Sequence, residues 1–275
     1  MFLLGYAAPI RAWYLQPGEV YVGYYAVESK SKTLTRNDGS TSPFPDISWF
    51  SQFMLVSAGV FKRAEVHGAL AYVVAREREA PDINVNSPGD SWLGGSYALY
   101  SERDSETISL KLRADVKIPL ANYPTSQHTA IGQGQNDYRI SANVTKFWQV
   151  LGVSMAPFAE PIYIFRAQEP EDQLALKAGL NIYLPANLRA GFSVSSLRTL
   201  AGSAFGEPNW TYLNLRVWYT TLDISIGCTL FDRFYVDVIY ARTIASGNSL
   251  LFDHFGGHAG PISAFRAQSS VLRRC

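Results

Sequence analysis

The sequence predicts an all-β fold: a transmembrane antiparallel up-and-down β-barrel of about twelve strands, with short turns at one end and longer loops at the other. Three observations predict it. Between Thr107 and Ile118, the residues Ile108, Leu110, Leu112, Ala114, Val116 and Ile118 share one parity, while Thr107, Ser109, Lys111, Arg113, Asp115 and Lys117 share the other. A strand satisfies that period and a helix does not. Segments of this kind run to 12 residues and beyond, whereas strands of soluble proteins average about 5 to 6 and strands that cross a bilayer at a tilt take about 9 to 11. Finally, the connections alternate between short and long, as a barrel with periplasmic turns and external loops requires.

In chain order the strands are placed at 18–28, 47–61, 64–78, 91–102, 106–118, 137–148, 151–166, 172–184, 187–199, 211–230, 233–245 and 250–265. Alternation is clear at Tyr138 to Thr145, at Gln173 to Leu184 and at Leu188 to Ser195. Short turns fall at Lys62-Arg63, Arg103-Asp104, Gln149-Val150, Pro185-Ala186 and Phe231-Asp232; longer connections fall at 29–46, 79–90, 119–136, 167–171, 200–210 and 246–249. The first three of these hold the turn-forming runs Asn37-Asp38-Gly39, Asn86-Ser87-Pro88-Gly89 and Gly132-Gln133-Gly134-Gln135-Asn136. From Leu213 to Leu230 the apolar parity is odd up to Tyr219 and even from Leu222, which predicts a β-bulge at Thr220-Thr221 within one long strand. Aromatics near strand ends, among them Trp13, Tyr14, Trp49, Phe50, Trp92, Phe147, Trp148, Trp210 and Tyr212, are expected to form interfacial girdles.

Composition agrees by exclusion. With 16 Tyr, 15 Phe and 6 Trp in 275 residues, the chain is too hydrophobic to be disordered. Its 24 basic and 23 acidic residues leave a net charge of +1, without the basic surplus of a nucleic-acid binder. Cys228 and Cys275 offer neither a disulfide framework nor a zinc spacing. No cofactor or metal is expected. No apolar run reaches 18 residues, so helical spans are excluded, but a barrel averages an apolar and a polar face and stays near neutral hydropathy.

With the apolar parity facing lipid, the pore-lining residues expected are Lys111, Arg113, Asp115, Lys117, Arg139, Lys177, Arg189, Arg216, Asp223 and Asp237. Counting Glu65 and Glu77 as well, seven cations face five carboxylates, a mildly cationic interior that favours anionic or polarisable solutes weakly. The same charges could instead pair across strands. The chain is not expected to be an enzyme. Among the histidines, His67 lies near a turn, His128 shares a loop with Ser126, and His254 beside Asp253 is the best candidate for hydrolase chemistry if a serine converges on it.

Three features stand between about Glu106 and Asn248, roughly half the chain: the strand ending in Lys117-Ile118-Pro119, the loop Ile131-Gly132-Gln133-Gly134-Gln135-Asn136-Asp137-Tyr138, and the hairpin from Asp232-Arg233-Phe234 through Tyr240-Ala241-Arg242-Thr243 to Ser246-Gly247-Asn248. In these features the sequence resembles the outer-membrane channel family linked to meta-pathway phenol degradation and hydrocarbon uptake. The resemblance implies a passive outer-membrane channel for small organic solutes, often aromatic or hydrophobic. Partners would be outer-membrane lipid, the solutes and the barrel-insertion machinery, and an assembly of several copies is compatible with it. Amyloid- or protein-export barrels are similar in the same features, as is an outer-membrane hydrolase barrel in its architecture. Residues 1–17 read as a remnant of an export signal or periplasmic segment, 18–265 as the barrel and 266–275 as a basic tail. Pro261 is expected to interrupt the closing strand, and Phe265 is the only candidate for a closing aromatic.

Overall fold

Alternation of side-chain environment organises the molecule. The computed structural model describes residues 14–122, 134–167, 171–204, 207, 216–230 and 234–261. Twelve antiparallel strands form the wall: β1 (Val20–Thr35), β2 (Thr41–Phe61), β3 (Ala64–Glu77), β4 (Asp90–Tyr100), β5 (Ser109–Pro119), β6 (Asp137–Thr145), β7 (Val153–Arg166), β8 (Gln173–Leu184), β9 (Leu188–Thr199), β10 (Trp218–Leu230), β11 (Phe234–Gly247) and β12 (Asp253–Pro261). Each pairs with its neighbours in sequence, and β12 pairs with β1, so the sheet closes on itself and leaves no edge. Short segments Val85–Pro88, Trp148–Val150 and Ser249–Leu250 extend the pairing at its rims. No α-helix occurs among the described residues.

The expected bulge and closure come out differently in detail. β10 keeps an unbroken register with β9 through Thr220 and Thr221; the shift lies in its pairing with β11, where Thr220 faces Ala245 and Thr221 faces Thr243. The extra residue is therefore Ile244 on β11, not a residue of β10. Tyr219 and Val217 accordingly do not swing to the outer wall; they pack against the inward cluster of Ile162, Ile164, Ala175 and Leu197. The parity slip reported an apolar patch of lumen. Pro261 does not interrupt the closure, because it occupies the last paired position of β12, opposite Phe234, and the ladder to β1 ends at Ala259. Phe265 lies outside the described residues.

Loop lengths also differ. β1 and β2 continue past the expected loop and leave only residues 36–40 between them, while the turns after β4 and β6 span 101–108 and 146–152. A 3-10 turn, Glu102–Asp104, fills the former.

The outer wall is apolar. Val22, Tyr24, Met54, Leu70, Leu93, Ile140, Leu176, Phe192, Ile226 and Val238 all point away from the lumen and are exposed. Outward aromatics near the strand ends include Tyr97, Tyr100, Trp148 and Phe234 at the turn end and Phe50, Tyr138, Phe165, Tyr240 and Phe255 at the loop end. Of the aromatics singled out in the sequence, Phe50 and Trp148 join them, while Tyr14 and Trp49 are buried inside. Proximity to a strand end does not set which face a residue occupies; parity does. Trp13, Trp210 and Tyr212 lie outside the described residues.

The N-terminal residues Tyr14 to Gly18 turn in against the barrel wall. Leu15 is 1% exposed and packs with Tyr21, Tyr25 and Leu55. Its N–H donates to Glu65, while Tyr14 Oη donates to Asp104 at 3.0 Å and Arg103 holds the Tyr14 carbonyl at 3.1 Å. A side chain at Gly59 would place its Cβ 2.1 Å from the Gln16 carbonyl oxygen, so the segment needs glycine there. At the same rim Arg63 binds Asp104 at 2.8 Å and Glu106 at 3.2 Å, and the hydrogen bond to Asp104 raises the Arg63 pKa.

Candidate functional site: the charged lumen

Alternation on β5 sends Lys111, Arg113, Asp115 and Lys117 to the inner face, and the register carries them opposite Asn143, Ser141, Arg139 and Asp137 of β6. Asp115 is the hub. Its carboxylate accepts from Arg113 Nε at 2.8 Å and from Arg139 at 2.8 Å, and lies 2.5 Å from His67 Nε2 on β3. Asp115 is 5% exposed, so these partners compensate a charge that water scarcely reaches. The Arg139 guanidinium also sits 4.4 Å from the centroid of the Trp92 ring, a cation-π contact from β4.

Gly94 makes the hub fit. A Cβ there would meet Asp115 Oδ1 at 2.3 Å and the Ala114 carbonyl at 2.4 Å. Gly68, across the ladder on the outer face, has nothing nearer than 3.6 Å. Gly94→Ala is therefore expected to destabilise the barrel by about 1–3 kcal/mol, while Gly68→Ala leaves it near wild type. Urea midpoints of the two variants in detergent measure the difference.

Two further groups flank the hub. Toward the turns, Lys111 binds Glu65 at 3.1 Å, and Ser96 donates to the same carboxylate. Toward the loops, Lys117 pairs with Asp90 at 3.2 Å and with Asp137, which Arg166 approaches at 3.0 Å. Gln135, just before β6, is buried and donates to Asp137 at 2.9 Å. Next to β6 along the wall, Lys177 of β8 stands in register with Glu160 of β7, which accepts from Ser141 of β6 at 2.8 Å. Asp223 accepts from Ser193 at 3.0 Å and Ser195 at 3.3 Å. Arg189 donates to Asn181 at 2.6 Å and to Tyr235 at 3.0 Å, with Asp237 3.8 Å away.

The expected residues thus fall into separate groups. Lys111, Arg113, Asp115, Lys117 and Arg139 stand side by side on β5 and β6 in three bonded groups, while Lys177, Arg189, Asp223 and Asp237 lie farther round the wall on β8, β9, β10 and β11. Arg216 precedes β10, where its backbone N–H donates to the Ser203 carbonyl at 2.8 Å. Sequence reasoning missed Asp90, Asp137, Glu160, Arg166 and the partnership of His67. Adding those three carboxylates and Arg166, and leaving out Arg216, which precedes β10 on the parity opposite to the inward Val217 and Tyr219, gives eight carboxylates against seven cations and removes the expected surplus. Glu160 was hidden because β7 is apolar on both faces, with Pro157 and Pro161 outward and Phe158, Ile162 and Ile164 inward. Asp90 and Asp137 stand at strand ends, where alternation has too few repeats to assign a face.

Apolar clusters complete the lumen on the loop side. Ile47, Trp49, Val73 and Ala75 gather Phe44, Val85, Ala121, Leu250 and Phe252 around them on one wall, and the Leu197 cluster lies on another. His254 points inward and approaches Ser29 Oγ at 2.7 Å, but Asp253, its neighbour in β12, occupies the outer face and accepts from Tyr240 at 3.0 Å. The three residues a hydrolase would need do not converge. His128 and Ser126 lie outside the described residues, and no group of metal-binding side chains occurs among the described ones.

No family model and no curated protein matches the chain. Solved structures do. A crystal structure of an outer membrane channel from Pseudomonas putida F1 superposes with a TM-score of 0.70 at 12% identity, covering 92% of this chain and 98% of the other. The NanC porin superposes with a TM-score of 0.52 at 7% identity over 87% and 98%. At these identities the likeness concerns the fold, which is that of channels and porins: in its closed twelve-stranded barrel, this chain is similar to an outer-membrane channel.

Proposed function

We propose that the chain resides in the bacterial outer membrane and works as a passive channel for small organic solutes. The observation that carries this reading is the two-sided wall. Taken over the barrel, the outward parity is dominated by apolar residues, while the inward parity holds nearly balanced charges and small polar residues together with a few apolar clusters. Lipid solvates the first face and water the second. Because the charges offset one another, selection by net charge is weak, and the lumen alternates ion-pair networks with the apolar clusters of Trp49 and Leu197. Such a path suits solutes with an apolar body and a polar group. The fold likeness to a channel and a porin supports the reading.

Conductance in planar bilayers, together with liposome swelling by aromatic acids against sugars, tests it. A folded barrel that passes neither ions nor solutes would overturn it. Within this reading, Arg113→Gln removes one cation from the Asp115 hub and is expected to shift the reversal potential toward cation selectivity. An unchanged reversal potential would remove Arg113 from the conduction path.

A further inference from the structure

The outer wall carries its own pattern of charge. Among the described strand residues, outward charges are Glu28, Lys30, Lys32, Asp46, Arg76, Arg198, Arg242 and Asp253. All but Arg198 stand on the contiguous arc β11, β12, β1, β2 and β3, and all lie in the loop-side halves of their strands. Strands β4 to β8 and β10 carry none.

Register makes the arc regular. Arg242 faces Asp253, Asp253 faces Lys30, Lys30 faces Ser48 and Ser48 faces Arg76. Cations therefore recur on every second strand, about 10 Å apart. One residue pair below in the ladder, Tyr240, Phe255, Glu28, Phe50 and Val74 follow each other in the same way, so the cation row borders outward aromatics of the kind that settle at a membrane interface. Lys30 and Arg242 have side chains 57% and 65% exposed, each beside one carboxylate: Glu28 at 2.9 Å and Asp253 at 3.5 Å. Ion pairs this exposed contribute little and yield readily to a stronger anion.

We propose that this arc binds a diphosphorylated lipid headgroup of the surrounding leaflet, with its phosphates on Arg242 and Lys30 or on Lys30 and Arg76. A guanidinium and an ammonium spaced by two strands match two phosphates on one rigid headgroup, and charge-assisted hydrogen bonds supply the recognition. The acyl chains then lie along the apolar wall below. The proposal rests on the membrane reading above, because only a barrel set in lipid presents this face to headgroups.

The purified barrel in detergent is titrated with diphosphorylated lipid A, with its dephosphorylated form, and with inorganic pyrophosphate. Lipid A is expected to bind most tightly. The triple variant Lys30→Ser, Arg76→Ser, Arg242→Ser should lose at least about tenfold in affinity, whereas Arg198→Ser, off the row, stays within about twofold. Equal binding by the triple variant overturns the proposal, as does equal binding of the dephosphorylated lipid or of pyrophosphate. Heat-modifiable gel migration confirms that the triple variant is folded, and its conductance should match wild type because no lumen residue changes. Binding in detergent with no conductance in bilayers would overturn the channel reading and leave the headgroup site standing; conductance without lipid A binding would do the reverse.

Discussion

Ile226→Arg is expected to lower the stability of the bilayer-embedded barrel by about 2–4 kcal/mol. Ile226 lies in the interior of β10, is 66% exposed and points outward beside Ala190 and Val238 of the neighbouring strands. In a water-soluble protein an arginine at so exposed a position would change stability by about 0.5 kcal/mol at most. The two environments therefore predict outcomes that differ severalfold for one substitution. Urea-dependent folding into liposomes, followed by gel mobility or tryptophan fluorescence, reads the difference. A variant that folds as stably as wild type in liposomes would mean that this face does not meet hydrocarbon. Ser225→Ala, the adjacent inward position, serves as the contrast and is expected to stay near wild type.

The second large effect concerns the lumen. Asp115→Ala removes the carboxylate on which Arg113, Arg139 and His67 converge. Two guanidinium groups are then left near each other without their shared anion, a loss that typically costs about 3–5 kcal/mol for a buried network. The midpoint of unfolding should fall accordingly, and any channel that still forms should conduct anions better than wild type does. Removing Arg139 as well restores part of the stability, because the uncompensated charge goes with it; the double-mutant cycle measures the coupling. Additive effects of Asp115→Ala and Arg139→Ala would show that the network is not an energetic unit.

Much of this architecture is legible in the chain. The dyads of β5 assign Lys111, Arg113, Asp115 and Lys117 to one face without any knowledge of partners, since a period of two admits a single assignment over so many repeats. Strand number follows from the turns. The hub centred on Asp115 is less legible: His67 reads as a residue near a turn, and although the up-and-down order sets β3 two strands from β5, nothing along the sequence fixes the register that puts His67, Gly94 and Asp115 in one row. β7 and the start of β10 mislead for a related reason. Parity separates faces only when one face is polar, and there the lumen itself is apolar around Ile162, Leu197 and Tyr219.

Local pattern thus decides which way each side chain points, because the backbone pleat is a property of the strand alone. Which inward residues meet depends on register and on closure of the sheet, and those are settled only when the strands are side by side. Seven inward carboxylates, of which alternation assigns four, become in the barrel partners of particular cations and hydroxyls: Glu65, Asp90, Asp115, Asp137, Glu160, Asp223 and Asp237. The wall is written in the sequence. The ion pairs that balance its interior, and the row of outward cations on every second strand, exist only across the ladder between chain-distant residues such as Arg242, Lys30 and Arg76.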